Sequence, residues 1–118
     1  MDEREFNRLA DEMLLRIEQF LEGCEPELDY EIGAGGVIEI DFDGDSDPAG
    51  GGKIVVNRHT AAREIWIAAK SGGFHFRPDT STPGHWVGTR DGVELLTQLS
   101  RCISEQSGDS IRFPAAAG

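Results

Sequence analysis

The spacing of apolar residues predicts an amphipathic helix near the start of the chain. From Glu5 to Glu22 the apolar positions recur every three or four residues, which places them on one face of a helix. Gly23 is suited to end this helix, and Pro26 prevents it from resuming. We therefore expect one side of the helix to pack against the rest of the molecule.

A second helix is predicted near the other end of the chain. Asp91 is suited to cap it, with Glu94 three residues later as the capping partner, and Gly108 is suited to end it. Beyond it, Ile111 and Phe113 are expected to lie against the helices, whereas residues 114–118 are expected to fray.

Short runs of alternating apolar and polar residues predict five or six strands between the helices. These runs are Leu28–Ile32, Val37–Phe42, Lys53–His59, Glu64–Lys70, Phe74–Arg77 and His85–Val87. Ser71–Gly73 is predicted to be a hairpin turn, and Asp43–Gly52 a polar loop. Two helices with one apolar face each can cover only one face of such a sheet. The sequence therefore predicts an α+β fold, a two-layer sandwich of one antiparallel sheet with the N- and C-terminal helices on the same face.

The central strand is expected to leave a tryptophan on the uncovered face. Ile65, Ile67 and Ala69 alternate toward the core, which turns Trp66 toward water. With regular pairing, the outward residues of this strand and its neighbours include Asn57, His59, Glu64, Trp66 and His75. A polar surface with an aromatic centre is typical of a protein-recognition site. For the two histidines, an ordinary surface role is the alternative to metal binding.

Charge is the strongest feature of the composition. The 118 residues include 22 Asp and Glu against 11 Lys and Arg, a formal net charge of −11. Such a field repels nucleic acid and anionic membranes and favours metal cations or a basic protein partner. The charged start of the chain is unlike a signal peptide and no long apolar run is present, so we expect a cytosolic protein. We expect it to be a monomer. Cys24 and Cys102 are expected to be free thiols.

Carboxylates are concentrated along the first predicted helix, the first predicted strand and the connection between them. They are Asp11, Glu18, Glu22, Glu25, Glu27, Asp29 and Glu31. Glu18 and Glu22 are one helical turn apart near the negative end of the helix dipole, an arrangement that costs stability. The pattern predicts one carboxylate-rich edge, which is either a solvated surface or a loose site for hard cations. We find no arrangement of serine, histidine and aspartate and no phosphate-binding loop, so we expect no enzymatic activity.

Three segments carry a resemblance to a known family. GAGGVIEI, IVVNRHTAAREIWIAAKSGGFHF and HWVGTRDGVELL, in this order of elements, resemble the frataxin family and its short bacterial members in particular. The likeness covers roughly Glu5 to Phe113. Trp66 matches the exposed sheet tryptophan of the family, Asn57 matches an asparagine of the preceding strand, and the seven carboxylates fall on its acidic ridge.

The resemblance implies a role in iron–sulfur cluster assembly. A member of this family is expected to bind iron weakly along the ridge and to dock on the cysteine desulfurase, near the iron–sulfur scaffold protein. Glu18, Glu22 and Trp66 would take part in docking. Two alternatives are an iron-storage or ferroxidase protein and an interaction module without a metal role.

Three departures from the family pattern bear on these expectations. His59 stands where the family usually has glutamine, and Gly23, Cys24, Pro26 and Leu28 interrupt the ridge. The interruptions predict a lower capacity for iron. The loop Asp43–Gly52 is also longer than usual.

Overall fold

The computed structural model describes residues 1–24, 27–42, 52–82 and 84–113 of the chain. Within them, helix α1 spans Glu3–Glu22 and helix α2 spans Leu95–Ser107. The strands are β1 (Asp29–Ile32), β2 (Ile38–Phe42), β3 (Gly52–His59), β4 (Glu64–Ala69), β5 (Gly72–Pro78) and β6 (Trp86–Gly88). The predicted order of elements is confirmed, with six strands in the described residues. Of the predicted loop Asp43–Gly52, all but Gly52 lies outside them, as do Glu25, Pro26 and 114–118.

Each strand pairs antiparallel with the next one along the chain, so the sheet order is β1-β2-β3-β4-β5-β6. Short connections between consecutive strands favour this arrangement. Trp66 on β4 lies opposite Asn57 on β3 and opposite His75 on β5. Directly paired residues point to the same side of a sheet, so these three side chains share one face.

Both helices cover the other face. The core contains Phe6, Met13, Ile17 and Leu21 from α1, Leu95, Leu96, Leu99 and Ile103 from α2, and Ile38, Ile40, Ile54, Val56, Ile65, Ile67 and Phe76 from the sheet. Burying each such side chain stabilises the fold by about 1.5–3 kcal/mol. Trp86 is buried, as its size predicts, with its ring edge-to-face against Phe6 at 5.8 Å. The two-layer α+β sandwich is confirmed.

The segment after α2 closes the helical layer. Ile111 and Phe113 are buried, as predicted, and Phe113 stacks on Phe20 of α1 with ring centroids 3.8 Å apart. The backbone N–H of Phe113 donates to the hydroxyl of Ser100 on α2 at 2.8 Å. This segment therefore fastens the two helices to each other.

The turn between β4 and β5 differs from the prediction. Ala69 pairs with Gly72, so the turn is Lys70–Ser71 instead of Ser71–Gly73. Gly72 has a φ of 144°, a conformation that favours glycine, and the strand begins there at once. A three-residue turn would have paired Lys70 with Phe74 and separated His75 from Trp66. The two-residue turn is what brings their rings together.

Helix α2 also begins later than predicted. Gly92 has a φ of 74°, and an isolated bridge to Val87 keeps Glu94 in an extended conformation. Glu94, and not Asp91, is therefore the N-cap, and its carboxylate accepts the Leu96 N–H at 2.6 Å. Asp91 makes a similar bond to the Val93 N–H at 3.1 Å, inside the preceding turn.

The two cysteines are free thiols in the structure. Cys102 is buried in the core and Cys24 is half-buried against it. Burial raises the pKa of both thiols. Each side chain packs as a small apolar residue, and the prediction of free thiols is confirmed.

Candidate functional site: the uncovered sheet face and its acidic edge

Three rings lie face to face in the middle of the uncovered sheet face. The Trp66 indole is nearly parallel to the His59 imidazole, with centroids 3.7 Å apart, and to the His75 imidazole, with centroids 4.2 Å apart. We call these three residues the ring stack. Trp66 faces away from the helices, as predicted, but it is half-buried because an imidazole covers each face of its indole.

The connection between β3 and β4 holds one side of the ring stack. Thr60–Ala62 form a single helical turn, and Arg63 then adopts a left-handed conformation with φ of 56°. This tight connection places His59 directly opposite Glu64 in the sheet. His59 is thus a diagonal neighbour of Trp66, close enough for ring contact.

Glu64 lies beneath the ring stack, and only 7% of its surface is exposed. Its Oε1 accepts the indole N–H of Trp66 at 2.7 Å and lies 3.5 Å from Nδ1 of His75. Its Oε2 accepts the Nε–H of Arg77 at 3.1 Å. Desolvation acts to raise the pKa of Glu64, but the bonds from Trp66 and Arg77, with the positive charges of Arg77 and His75, outweigh it and hold that pKa below its ordinary value.

Asn57 is the predicted partner-binding residue that stays outside this network. It is exposed on β3, directly opposite Trp66. The structure therefore gathers His59, Glu64, Trp66 and His75 into one cluster of contacting side chains and leaves Asn57 at its border.

A group of carboxylates occupies the same sheet face at its β1–β2 end. Asp29 lies opposite Asp41, and Glu31 lies opposite Glu39. We call these four residues the sheet acidic set. Lys53 on β3 lies 2.5 Å from Glu39 and 3.8 Å from Asp41. The hydrogen bond to Glu39, with the charges of Glu39 and Asp41, raises the pKa of Lys53, so one positive charge offsets part of the set.

The remaining carboxylates of the predicted ridge lie on α1. Asp11, Glu18 and Glu22 form what we call the helix acidic set. Asp11 pairs with the guanidinium of Arg58, which compensates its charge and makes it a poor ligand for a second cation. Glu18 and Ile32 of edge strand β1 line the same surface pocket, so the C-terminal half of α1 lies beside this strand. In agreement, desolvation and the negative charges of Glu22 and Glu18 raise the pKa of Tyr30 on β1.

The carboxylates of the predicted acidic edge therefore form two groups, one on each side of edge strand β1. Asp29 and Glu31 alternate outward on the strand, whereas Glu18 and Glu22 belong to the helical layer behind it. Glu27 is exposed before β1, and Glu25 lies outside the described residues. In the part of the chain that the structure describes, no three His, Cys, Asp or Glu residues are grouped so as to hold a metal ion. The carboxylates present fit loose, exposed cation binding better than a closed site.

Three residues of this surface were not predicted from the sequence to belong to the site. Arg77 pairs with Glu64, while Glu39 and Asp41 complete the sheet acidic set. The signal for Glu39 and Asp41 was their alternation with Ile38, Ile40 and Phe42. The pairing of Arg77 with Glu64 could be predicted only from the correct β4–β5 turn, because the register that pairs Ile65 with Phe76 brings Arg77 next to Glu64.

Comparison with known proteins agrees with the fold. The family model of the Frataxin-like domain matches residues 1–109. The chain is 49% identical over 111 residues to the iron–sulfur cluster assembly protein CyaY of Dechloromonas aromatica, covering 94% of this chain and 97% of that protein. The solved frataxin of Psychromonas ingrahamii, a member of the CyaY family, matches with a TM-score of 0.80 and 29% identity over 97% of this chain and 99% of that one.

None of the described helices is long and apolar enough to span a membrane. With the sandwich fold, the uncovered tryptophan face and the domain match, the chain belongs to the frataxin-like family, in its CyaY branch.

Proposed function

We propose that the protein takes part in iron–sulfur cluster assembly in the cytoplasm, as a regulator that binds the cysteine desulfurase near the scaffold protein. The observation that carries this proposal is the 49% identity, over nearly the whole length of both chains, to a protein named for that process. The desulfurase and the scaffold as partners follow from the resemblance of the segment around Trp66 to the frataxin family. The protein acts by binding and supplies no catalytic group of its own.

The charge distribution supports a basic partner. Glu18 and Glu22 lie on one side of β1, and the sheet acidic set lies on the other. Opposite charges steer two proteins together and fix their relative orientation. The ring stack supplies an aromatic anchor on the sheet face that also carries the sheet acidic set.

We expect reversal of the charges at Glu18 and Glu22 to abolish docking. In a pull-down with the purified cognate desulfurase, the variant E18K/E22K should be absent from the bound fraction. The amount of W66A in the bound fraction should be lower than that of the wild type. The matched control is E105K/D109K, which makes the same change in net charge at the far end of α2 and should bind normally. Normal binding by both E18K/E22K and W66A would end the proposal.

Iron is a second proposed ligand, held weakly by exposed carboxylates. Ferrous iron is paramagnetic, so backbone NMR should show selective broadening at Glu18, Glu22, Glu27, Asp29 and Glu31, with less at Asp11 because Arg58 already compensates its charge. Replacing Asp29 and Glu31 by their amides should remove the broadening on β1 only. Uniform or absent broadening would instead favour an interaction module without a metal role. Such a module would need no grouped metal ligands, and the described residues contain no group of three His, Cys, Asp or Glu that could hold a metal ion.

Iron storage with ferroxidase chemistry is the other alternative. It requires buried carboxylates and histidines on facing helices. Among the described residues the buried carboxylate is Glu64, which lies on the sheet face away from the helices. Iron-dependent oxygen consumption by the purified protein would be the result that favours this alternative.

A further inference from the structure

Both faces of the Trp66 indole are occupied before any partner arrives. His59 and His75 lie parallel to it, with interplanar angles of 13° and 6°. A partner therefore cannot stack on the indole without displacing an imidazole. What the indole itself can offer a partner is its edge, where aromatic C–H groups carry positive partial charge and match oxygen acceptors.

The orientation of the indole is fixed from below by one carboxylate. Glu64 accepts the indole N–H at 2.7 Å through one oxygen and the Arg77 Nε–H at 3.1 Å through the other. Because the Glu64 side chain is almost fully covered, water competes little for these bonds. The indole can turn away only by breaking its hydrogen bond and both ring contacts.

A fixed aromatic group binds more tightly than a mobile one, because less side-chain freedom is lost on docking. Ordering one flexible side chain in an interface weakens binding by about two- to ten-fold. Glu64 removes that cost for Trp66 in the free protein, although Glu64 itself is too deeply covered to contact a partner through much of its surface.

We propose that Glu64 is a positioning residue for docking: it holds the ring stack with its edge, and not an indole face, toward oxygen acceptors on the desulfurase. This inference rests on the proposed function, since it names how that same surface meets its partner. Glu64 is the one buried charged residue among those that the structure describes, and this proposal gives it a role.

The test compares E64A, E64Q and the exposed control E105Q in two measurements. The first is the position and solvent exchange of the indole N–H resonance in the free protein. The second is the Kd for the purified desulfurase. For E64A we expect a displaced, faster-exchanging resonance and a Kd raised about two- to ten-fold. E64Q keeps an acceptor oxygen but loses the ion pair with Arg77, so its changes should be smaller, and E105Q should match the wild type.

An indole resonance that stays unchanged in E64A would overturn the proposal, and so would a displaced resonance with an unchanged Kd. If E64A does not fold, E64Q decides by the same two readouts, because its side chain has nearly the same shape. If the wild-type protein does not bind the desulfurase at all, the proposed function is refuted, and the docking role of Glu64 is refuted with it. The indole N–H resonance of the free protein is measured without the desulfurase. It therefore shows whether Glu64 positions the ring stack even when no binding is found.

Discussion

At the residue scale, the position of Trp66 depends on one buried carboxylate, because Glu64 accepts the indole N–H at 2.7 Å while His59 and His75 stack on the ring. The face that Trp66 shares with these neighbours was predictable from the sequence. Strand alternation was enough to turn Trp66 away from Ile65 and Ile67. The burial of Glu64 was not accessible in the same way, because its cover comes from side chains on two neighbouring strands. The positions of the side chains on β5 depend on the length of the turn between β4 and β5. The sequence Lys-Ser-Gly-Gly is compatible with a turn of two or of three residues.

The lowered pKa of Glu64 predicts a specific loss of stability in acid. A carboxyl group with a lower pKa in the folded chain stabilises the fold above its unfolded pKa, about 4.3, and this contribution is lost as the pH falls through the folded pKa. E64Q removes the group, so at about pH 6 it should be less stable than the wild type by about 1–2 kcal/mol, the usual value of such hydrogen bonds.

Urea unfolding at about pH 6 and about pH 3 measures this effect, since the carboxyl group of the unfolded chain is charged at the first pH and largely protonated at the second. The stability difference between the wild type and E64Q should shrink in acid, whereas E105Q should follow the wild type at both values. A difference that stays constant between the two pH values would contradict the account of Glu64.

At the scale of the elements, periodicity predicted both helices, and local backbone conformation set their ends. Asp91 and Glu94 both have the chemistry of a cap, but a positive φ at Gly92 and the bridge of Glu94 to Val87 leave only Glu94 at the helix start. Spacing alone cannot show this, because it carries no information on long-range pairing. α1 begins at Glu3, earlier than predicted, because Asp2 accepts the Glu5 N–H at 2.8 Å.

The two glycines that end the helices should respond oppositely to alanine. Gly108 has a φ of 79°, so G108A should lower the free energy of unfolding by about 1 kcal/mol. Gly23 has a φ of −97°, and an added Cβ would meet only the Gln19 carbonyl oxygen at 3.9 Å. G23A should therefore be neutral or stabilise by about 0.4–1 kcal/mol, since alanine restricts the unfolded chain.

Chemical denaturation of the two alanine variants under one condition provides the comparison. Each serves as the control for the other, because both add a single methyl group at a helix end. Equal destabilisation by G23A and G108A would show that the conformation of the glycine is not what decides the effect.

At the scale of the whole molecule, composition predicted the sign of the charge but not its division. A net charge of −11 and the resemblance to frataxins were both readable from the sequence. The split of the ridge into two surfaces flanking β1 was not, because a helical period of 3.6 and a strand period of two do not tell which sides of two layers adjoin. The docking that we propose, on a basic partner, would thus involve the helical layer and the sheet face together.

The central claim is that charge brings the desulfurase to this protein and that the ring stack then anchors it. The most direct test is the Kd at about 0.1 M and about 1 M salt, where the Debye length falls from about 10 Å to about 3 Å. The wild type should lose much of its affinity at high salt, and E18K/E22K should show no measurable binding at either concentration. W66A should bind more weakly than the wild type, with the same salt dependence. A wild-type Kd that is insensitive to salt, and equal to that of E18K/E22K, would contradict the account.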